Sequence, residues 1–385
     1  MESKIQEILN IEPYICARCG YCNTVCPTYN LNKNRWESVS PRGKVALIRQ
    51  KILSNPKEIK RFTGKLFDCL LCGACEEVCQ TEIPLLALWK LSREQVFTYA
   101  PEAAANVNKA VNGSHNPMGL DNQERTYWTK RLRNLSQSLI KEKADVVYFV
   151  GCSTAMLPML NSIGHSFVRL LDKLNINFSI LGNDEWCCGF PQILVGRTKE
   201  AEKQIRHNVE FINKLGAKTL VTTCPGCYRV FKEEYEEIVP GLVKFEVLHS
   251  TQLIEKFIKE GRIKFKEGPH QVVTYHDPCD LGRKSKVFDA PRQIIKSIPG
   301  LELIEMVNNK NESTCCGAGA VLAFVNPELS GAVSRQKIAE IKATKAEVVF
   351  SACQSCKKNI KETANRLQEQ FKVMDLMEIV MERMI

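Results

Sequence analysis

Residues 183–191 read NDEWCCGFP, and residues 311–319 read NESTCCGAG. Each stretch contains two adjacent cysteines followed by glycine, namely Cys187, Cys188 and Gly189 in the first and Cys315, Cys316 and Gly317 in the second. Two neighbouring thiols do not easily enter one small tetrahedral metal site, because the backbone would have to bend awkwardly. A pair that recurs in a similar setting therefore indicates an internal repeat built around an unusual thiolate site.

The sequences that flank the two stretches also correspond. DVVYFVGC, ending at Cys152, matches QVVTYHDPC, ending at Cys279, and AKTLVTTCPGC matches AEVVFSACQSC. Each half has three apolar or β-branched runs, which predict short strands closely followed by cysteine, and amphipathic stretches such as TKEAEKQIRHNVEFINKLG predict helices between them. This alternation favours two pseudo-symmetric α/β repeats with parallel strands, over residues 144–265 and 266–385. We expect the cysteines to gather at the carboxyl ends of the strands.

The composition is typical of a globular protein whose cysteines bind metal. The chain has 385 residues, of which 44% are hydrophobic and 25% charged, and no apolar run approaches the ~20 residues that span a bilayer. Its start, MESKIQEILNIEPYICARC, lacks the apolar segment of a signal peptide. The sequence therefore predicts a cytoplasmic protein, with or without peripheral attachment to the cytoplasmic face of a membrane. In that reducing compartment, 18 cysteines indicate metal ligands rather than disulfides.

Two cysteine quartets lie in the first 95 residues. CARCGYCNTVCP supplies Cys16, Cys19, Cys22 and Cys26, and CLLCGACEEVCQ supplies Cys69, Cys72, Cys75 and Cys79. Three cysteines at three-residue spacing bind one cubane [4Fe–4S] cluster, while the fourth ligates the other cluster. This rule assigns one cluster to Cys16, Cys19, Cys22 and Cys79, and the other to Cys69, Cys72, Cys75 and Cys26. Residues 1–95 are therefore predicted to form a helical di-cluster ferredoxin domain. Between the quartets, SPRGKVALIRQKIL predicts a helix capped by Ser40.

Zinc is the alternative metal for the quartets. It prefers two separated CxxC pairs per ion, whereas each quartet has three closely spaced cysteines and a fourth. A zinc-bound interaction module is accordingly the least favoured interpretation.

Each repeat supplies a further five cysteines. The first set is Cys152, Cys187, Cys188, Cys224 and Cys227, and the second is Cys279, Cys315, Cys316, Cys353 and Cys356. Five thiolates are too many for tetrahedral zinc or for an ordinary cubane, but a cluster that accepts a bridging thiolate or opens its cube would use all five. The alternative, that the adjacent pairs are buried free thiols or strained vicinal disulfides, leaves the matching CxxC and the lone cysteine unexplained.

The formal net charge of +10 does not indicate a nucleic-acid partner. Lysines and arginines are spread along the chain, and no basic run is interleaved with aromatic residues. Clusters held by all 18 thiolates would contribute roughly −10, if each iron–sulfur core carries about +2. The basic balance is therefore best explained as compensation for the clusters.

These motifs resemble those of a known family. The repeated C…CCG…CxxC pattern resembles the CCG domains of heterodisulfide reductases, and a di-cluster ferredoxin domain followed by two such repeats resembles the D-type polypeptide of those enzymes. ICARCGYCNTVCPTY, SPRGK, HNPMGLDNQERTYW and YHDPCDLGR extend the likeness over most of the chain. The chain is also similar to the iron–sulfur subunits of glycolate oxidase and anaerobic glycerol-3-phosphate dehydrogenase. The resemblance implies that each complete five-cysteine set holds a noncubane [4Fe–4S] cluster and that the two clusters reduce a disulfide.

The resemblance implies a redox enzyme subunit in which cubane clusters pass electrons to the noncubane clusters. The catalytic candidates are Cys187, Cys188, Cys315, Cys316 and His276. His276 would either brace its loop or deliver a proton. The alternative is an electron-transfer subunit between a flavin-linked lactate, glycolate or glycerol-3-phosphate dehydrogenase and a quinone pool. No flavin or nicotinamide motif stands out, so the redox partner is expected to be a flavoprotein or a membrane cytochrome b. A helical connector over residues 96–143 would join or dock the domains.

Overall fold

The computed structural model describes residues 7–133 and 135–385, and its part before the first sheet is helical. The α-helices there are Tyr21–Thr24, Pro27–Asn30, Pro41–Arg49, Pro56–Phe67, Ala74–Glu77, Leu85–Val96 and Glu102–Ser114, followed by the 3-10 helix Asn122–Arg131. Up to Leu85–Val96 they pack around a core that includes Phe62, Leu88 and Trp89. Several cysteines of both quartets pack against this core, so the quartets share one scaffold.

The helix Pro41–Arg49 lies between the two quartets and begins as its sequence predicts. Ser40 is the N-cap, and its side chain accepts a hydrogen bond from Gly43 N. Proline occupies the first turn, where its missing N–H would have had no helical partner. Val45 and Ile48 are buried in the core, which fixes the helix against the rest of the domain.

Each repeat contains a four-stranded parallel sheet. The strands are β1 Val146–Phe149, β2 Phe178–Ser179, β3 Thr219–Thr222 and β4 Glu246–His249 in the first repeat, and β5 Gln271–Tyr275, β6 Leu301–Leu303, β7 Val348–Ser351 and β8 Lys372–Asp375 in the second. The strand orders are β2-β1-β3-β4 and β6-β5-β7-β8, and every neighbouring pair is parallel. The identical order confirms the predicted fold, a helical domain followed by two pseudo-symmetric α/β repeats.

Helices cover and connect these sheets. Those of the first repeat are Cys152–Met156, Asn161–Lys173, Phe190–Leu194, Thr198–Lys214, Pro225–Arg229, Tyr235–Ile238 and Ser250–Lys259, and those of the second are Asp289–Ser297, Leu322–Val325, Pro327–Ala343, Gln354–Arg366 and Leu376–Arg383. Thr198–Lys214 is the amphipathic helix expected from its periodicity, and Ile205, Val209 and Ile212 on its apolar face are fully buried.

The structure has four strands in each repeat, whereas the sequence predicts three. The additional strands, β4 and β8, read EVLH and KVMD, which are short, partly polar and not followed by cysteine. Each ends instead at the N-cap of the next helix, His249 or Asp375, and both caps form a capping box with the residue three positions later. The capping box is the sequence signal that could have located these strand ends.

The two repeats share one hydrophobic core, to which residues of both sheets belong. In each of two helix pairs, the first long helix of one repeat packs on the last helix of the other: Asn161–Lys173 on Leu376–Arg383, and Asp289–Ser297 on Ser250–Lys259. This exchange relates the repeats as a pseudo-symmetric pair and fixes their mutual orientation.

Candidate metal centres

The two quartets occupy loops of the same design. In each loop a glycine with positive φ, Gly20 at 86° or Gly73 at 83°, precedes a one-turn helix that carries the third cysteine. Glycine adopts this left-handed conformation without the steric cost of a side chain, so the pattern CxxCGxC specifies the turn. Cys26 then occupies the N-cap position of the helix Pro27–Asn30. Such turns allow closely spaced thiols to converge.

The quartets exchange their fourth cysteines. The thiol neighbours of Cys22 are Cys16, Cys19 and, from the second quartet, Cys79. The thiol neighbours of Cys75 are Cys69, Cys72 and, from the first quartet, Cys26. Burial, reinforced by these neighbouring thiolates, raises the pKa of Cys22 to about 11 and the pKa of Cys75 well above its ordinary value. The structure thus brings together both sets of four, and their role as cluster ligands stays a prediction.

Buried cations lie beside the set Cys26, Cys69, Cys72 and Cys75, whose side chains line one cavity. Lys44, 1% exposed, lines the same cavity and lies over the Trp89 ring, 5.9 Å from its centroid. Arg93 is fully buried and donates to the carbonyl oxygens of Leu66 and Cys69, at 2.8 and 2.7 Å, and of Leu194 at 2.7 Å. Positive charge held this way offsets the negative charge of a thiolate-bound cluster.

The other set lies at the surface, where Cys19 is exposed. Large exposed apolar side chains cluster in the sequence around it: Ile11, Tyr14, Ile15, Tyr21, Val25 and Trp36. Exposed apolar residues concentrated in one segment are typical of interaction sites.

The five cysteines of the first repeat meet at the carboxyl ends of its strands. Cys152 begins the helix after β1, Cys224 occupies the N-cap position of the helix after β3, and the adjacent pair follows β2. Hydrogen-bonding contacts between the thiols connect all five, in the order Cys152, Cys187, Cys188, Cys227 and Cys224. Gly151 lies beside these thiols with φ of 78°, a backbone conformation that residues with a side chain rarely adopt.

The second repeat has the same arrangement. Its thiol contacts run in the order Cys279, Cys315, Cys316, Cys356 and Cys353. The hydrogen-bonding contacts of Cys315 and Cys356 lower the pKa of Cys316 to about 6, and those of Cys187 and Cys227 do the same for Cys188. Within each adjacent pair, the second cysteine therefore ionises more readily than the first, whose pKa is raised.

This geometry explains why the cysteine pairs are adjacent. In each repeat the first member of the pair contacts the lone cysteine, and the second contacts the CxxC motif. All 18 cysteines are free thiols, and no disulfide joins any two of them in the described chain. Five converging, largely buried soft ligands exceed the four positions of zinc and fit an iron–sulfur cluster.

His276 lies beside the second five-thiol site. One of its ring nitrogens and the sulfurs of Cys316 and Cys356 lie within 4.8 Å of one another. The side chain is 1% exposed, and neither ring nitrogen has a hydrogen-bond partner among the described residues. Burial lowers the pKa of His276 to about 3, so the ring is neutral near pH 7.

The set Cys26, Cys69, Cys72 and Cys75 lies against the second repeat. The thiol of Cys72 lies close enough to those of Cys279 and Cys315 to interact with them electrostatically. Arg283 is 3% exposed and connects the two parts: its Nη1 donates to Cys72 O at 2.9 Å and its Nε to Asn311 O at 2.8 Å.

The two five-thiol sites face each other across the interface between the repeats. The segment that carries each CxxC contacts the segment after the other repeat's lone cysteine: Pro225–Arg229 contacts Asp280–Lys284, and Gln354–Arg366 contacts Cys152–Met156. Gln354 Nε2 also donates across the interface to Thr223, at 3.0 Å to the carbonyl oxygen and 2.9 Å to Oγ1.

Sequence reasoning misses Arg125 and two histidines, His115 and His207, around the first site. Arg125, from the connector, is 1% exposed and donates to Cys152 Sγ at 3.3 Å and to Glu185 at 2.8 Å. Trp186 is half-buried between the rings of His115 and His207, each with its centroid 3.6 Å from the Trp186 ring. Arg125 lies in the stretch ERTYW and Glu185 in the stretch EWCC. Only the tertiary structure brings Arg125 into contact with Glu185 and Cys152.

Comparison with known proteins agrees with these motifs. A family model described as a 4Fe-4S dicluster domain matches residues 12–83, and one described as a cysteine-rich domain, CCG, matches residues 146–232 and 273–361. The D subunit of the dihydromethanophenazine:CoB–CoM heterodisulfide reductase of Methanosarcina barkeri is 33% identical, over 95% of this chain and 93% of its own length. This chain belongs to the family of heterodisulfide reductase D subunits.

This member of the heterodisulfide reductase D family is also similar to proteins that carry other names. An EtfAB:quinone oxidoreductase of Syntrophomonas wolfei is 25% identical over 96% of this chain and 58% of its own length. The crystal structure of a hypothetical protein from Helicobacter pylori shares the fold, with a TM-score of 0.59, 9% identity, and coverage of 89% of this chain and 67% of that one. In residues 7–133 and 135–385, no helix combines the length and apolarity needed to cross a membrane.

Proposed function

We propose that this chain is the cluster-bearing subunit of an oxidoreductase complex of heterodisulfide reductase D type, in which both repeats act on one disulfide. The observation that supports this most directly is the presence of two complete five-thiol sites facing each other across the repeat interface. Reduction of a disulfide breaks one S–S bond, consumes two electrons and two protons, and yields two thiols. Paired sites would divide this reaction into two one-electron halves and avoid a free thiyl radical.

The proposed cofactors are two cubane and two noncubane [4Fe–4S] clusters. The first cubane set would be Cys16, Cys19, Cys22 and Cys79, and the second would be Cys26, Cys69, Cys72 and Cys75. The noncubane clusters would use the two sets of five thiols. When bound, these clusters supply single electrons, and those in the repeats also offer iron for a substrate sulfur. The chain supplies the ligands and, through Lys44 and Arg93, buried positive charge beside the second cubane set.

His276 is the residue that we propose to assist the leaving thiolate in the second repeat. Its low pKa means that it acts as the neutral ring, which carries one N–H. That N–H is free to donate, because neither ring nitrogen has a hydrogen-bond partner among the described residues.

Trp186 is proposed to limit the access of water to the first site, where the stacked rings of His115 and His207 hold it beside Cys187.

Electrons are proposed to arrive at the first cubane set and to leave it through the second. The exposed Cys19 and the exposed apolar segment around it support arrival there. The proximity of Cys72 to Cys279 and Cys315 supports transfer onward to the second repeat. The donor would be a flavoprotein or a membrane cytochrome b, because no flavin or nicotinamide motif stands out in the sequence. We place the complex in the cytoplasm because the proposed cluster ligands are cysteine thiols, which stay reduced there.

One observation favours a second function, electron transfer without disulfide chemistry. The relative named EtfAB:quinone oxidoreductase matches 96% of this chain, including both repeats. In this alternative the chain would relay electrons between a flavin-linked dehydrogenase and a quinone pool.

Anaerobic assays of the full chain test the two functions. Reduced viologen is offered as electron donor, with either the CoB–CoM heterodisulfide or a quinone as acceptor. Cys187→Ser and Cys315→Ser are each expected to abolish disulfide reduction while the N-terminal clusters remain reducible by dithionite. Disulfide turnover that survives in either variant, after its repeat has lost its iron, would refute the paired sites. Quinone reduction by a parent protein that reduces no disulfide would favour the alternative.

A further inference from the structure

The two five-thiol sites have different surroundings, and the difference centres on Arg125. This connector residue sits in the wall of the first site, where Nη2 donates to Cys152 Sγ at 3.3 Å. Among the described residues, it is the one cationic side chain that donates a hydrogen bond to a cysteine sulfur.

Two further side-chain contacts hold the Arg125 guanidinium in place. Nη1 donates to Glu185 Oε1 at 2.8 Å, and Nε donates to Asn122 Oδ1 at 3.2 Å. Glu185 is fixed in turn, because its two carboxylate oxygens accept hydrogen bonds from the backbone N–H groups of Val150 and Gly151, both at 2.8 Å. The donor that faces Cys152 is therefore positioned before any cluster binds.

The lone cysteine of the second repeat, Cys279, receives no hydrogen bond from a cationic side chain in the described part of the chain. Cys279 Sγ lies 3.9 Å from the carboxylate of Asp280, which cannot donate to a thiolate, and the charge of Lys284 acts on Cys279 without a hydrogen bond to its sulfur. Asp280 is paired with Lys284 at 2.8 Å. The buried Arg292 of this repeat pairs with Asp277 and Glu305, and none of its hydrogen bonds ends on a sulfur.

A hydrogen bond to a ligand sulfur stabilises the reduced form of a cluster. Reduction adds negative charge, part of which resides on the ligand sulfurs, and a donor at that point stabilises it in a buried site of low dielectric. The negative charge of Glu185 opposes this effect, but it lies farther from the Cys152 sulfur than the donor does. The Glu185 carboxylate binds Nη1, whereas Nη2 donates to the sulfur.

We propose that Arg125 is a positioning residue that holds the reduction potential of the first-repeat cluster above that of the second-repeat cluster. The inference rests on the proposed function, since it requires a cluster in each repeat. The second repeat lies beside the second cubane set, so this difference makes the first repeat the preferred final position of an electron. Each transfer oxidises the second-repeat cluster by one electron and reduces the first-repeat cluster by one.

The test is an anaerobic redox titration of the full holoprotein followed by electron paramagnetic resonance. Each signal is assigned to its repeat by its loss in Cys187→Ser or Cys315→Ser. In the double variant Arg125→Gln with Glu185→Gln, net charge is unchanged but the cationic donor is gone. We expect at least a tenfold lower ratio of reduced to oxidised first-repeat cluster at a fixed potential, which equals about 59 mV for one electron.

Two further variants separate a specific effect from a general one. Arg125→Lys keeps the charge but alters the donor geometry, so its midpoint potential is expected between those of the parent and the double variant. Arg292→Gln removes a comparable buried guanidinium from the second repeat and should leave the first-repeat potential unchanged.

An unchanged first-repeat midpoint in an iron-replete double variant would overturn the role of Arg125, as would equal shifts of both clusters. If the double variant assembles too little iron, Arg125→Lys decides: a lower midpoint supports the role and an unchanged one overturns it. A parent protein without a first-repeat cluster would instead overturn the proposed function, and iron content distinguishes that result.

Discussion

Replacement of Asp375 by asparagine is expected to stabilise the folded chain, and more at pH 8 than at pH 5. Asp375 is 1% exposed and caps the helix Leu376–Arg383, where its Oδ1 accepts a hydrogen bond from Met377 N at 2.9 Å. Its Oδ2 has no partner in the described part of the chain. Asparagine keeps the oxygen that caps the helix and removes the charge that burial penalises.

The size of the effect follows from the pKa of Asp375, which burial raises from 3.8 to about 7. Between these values the folded carboxyl binds a proton that the unfolded carboxyl has lost, so stability falls as the pH rises through this window. One pKa unit corresponds to about 1.36 kcal/mol, so the raised pKa lowers the free energy of unfolding by roughly 4 kcal/mol at pH 8 and by roughly 2 kcal/mol at pH 5. Asp375→Asn should recover approximately these amounts.

Anaerobic chemical denaturation at the two pH values, followed by circular dichroism, measures the difference in unfolding free energy. The matched control is His249→Asn at the equivalent cap of the first repeat. Burial lowers the pKa of His249 to about 3, so its cost appears only below pH 6.5 and the control should gain nothing at pH 8 through ionisation. A gain for Asp375→Asn that is independent of pH, or a loss at pH 8, would refute the reasoning.

Three other outcomes are expected. The anaerobically isolated chain should contain about sixteen irons, if all four clusters have four irons; about eight, with intact sulfide, would contradict clusters in the repeats. Cys19→Ala should abolish reduction by the physiological donor while dithionite still reduces the repeats, and unchanged donor-driven reduction would place electron input elsewhere. Arg283→Met leaves the carbonyls of Cys72, Asn311 and Ser313 without this donor. It should cost roughly 3 kcal/mol in chemical denaturation, and a loss below ~0.5 kcal/mol would contradict a structural role for this contact.

The fold class and the family could be read from the sequence because their signals are local. Spacing alone specifies a quartet such as that beginning at Cys16, since a few residues of backbone and one glycine turn decide which thiols can converge. Strands such as β1 and β5 lie in runs rich in apolar and β-branched residues that end close to cysteine, so both the repeat and its parallel sheet were predictable. The polar edge strands β4 and β8 were not, because pairing with a neighbour, rather than their own composition, makes them strands.

The sequence by itself determined that this protein has eighteen candidate ligands in two quartets and two sets of five, and that the sets of five belong to α/β repeats. Only the tertiary structure decided how the sets are arranged. Arg283 meets Cys72 across 211 positions, and Gln354 meets Thr223 across 131. Contacts at such separations depend on how whole sheets and helices pack, and no spacing rule encodes them. The same packing places Arg125, a residue of the connector, beside Cys152. The two five-thiol sites therefore differ electrostatically, although their cysteine patterns are the same.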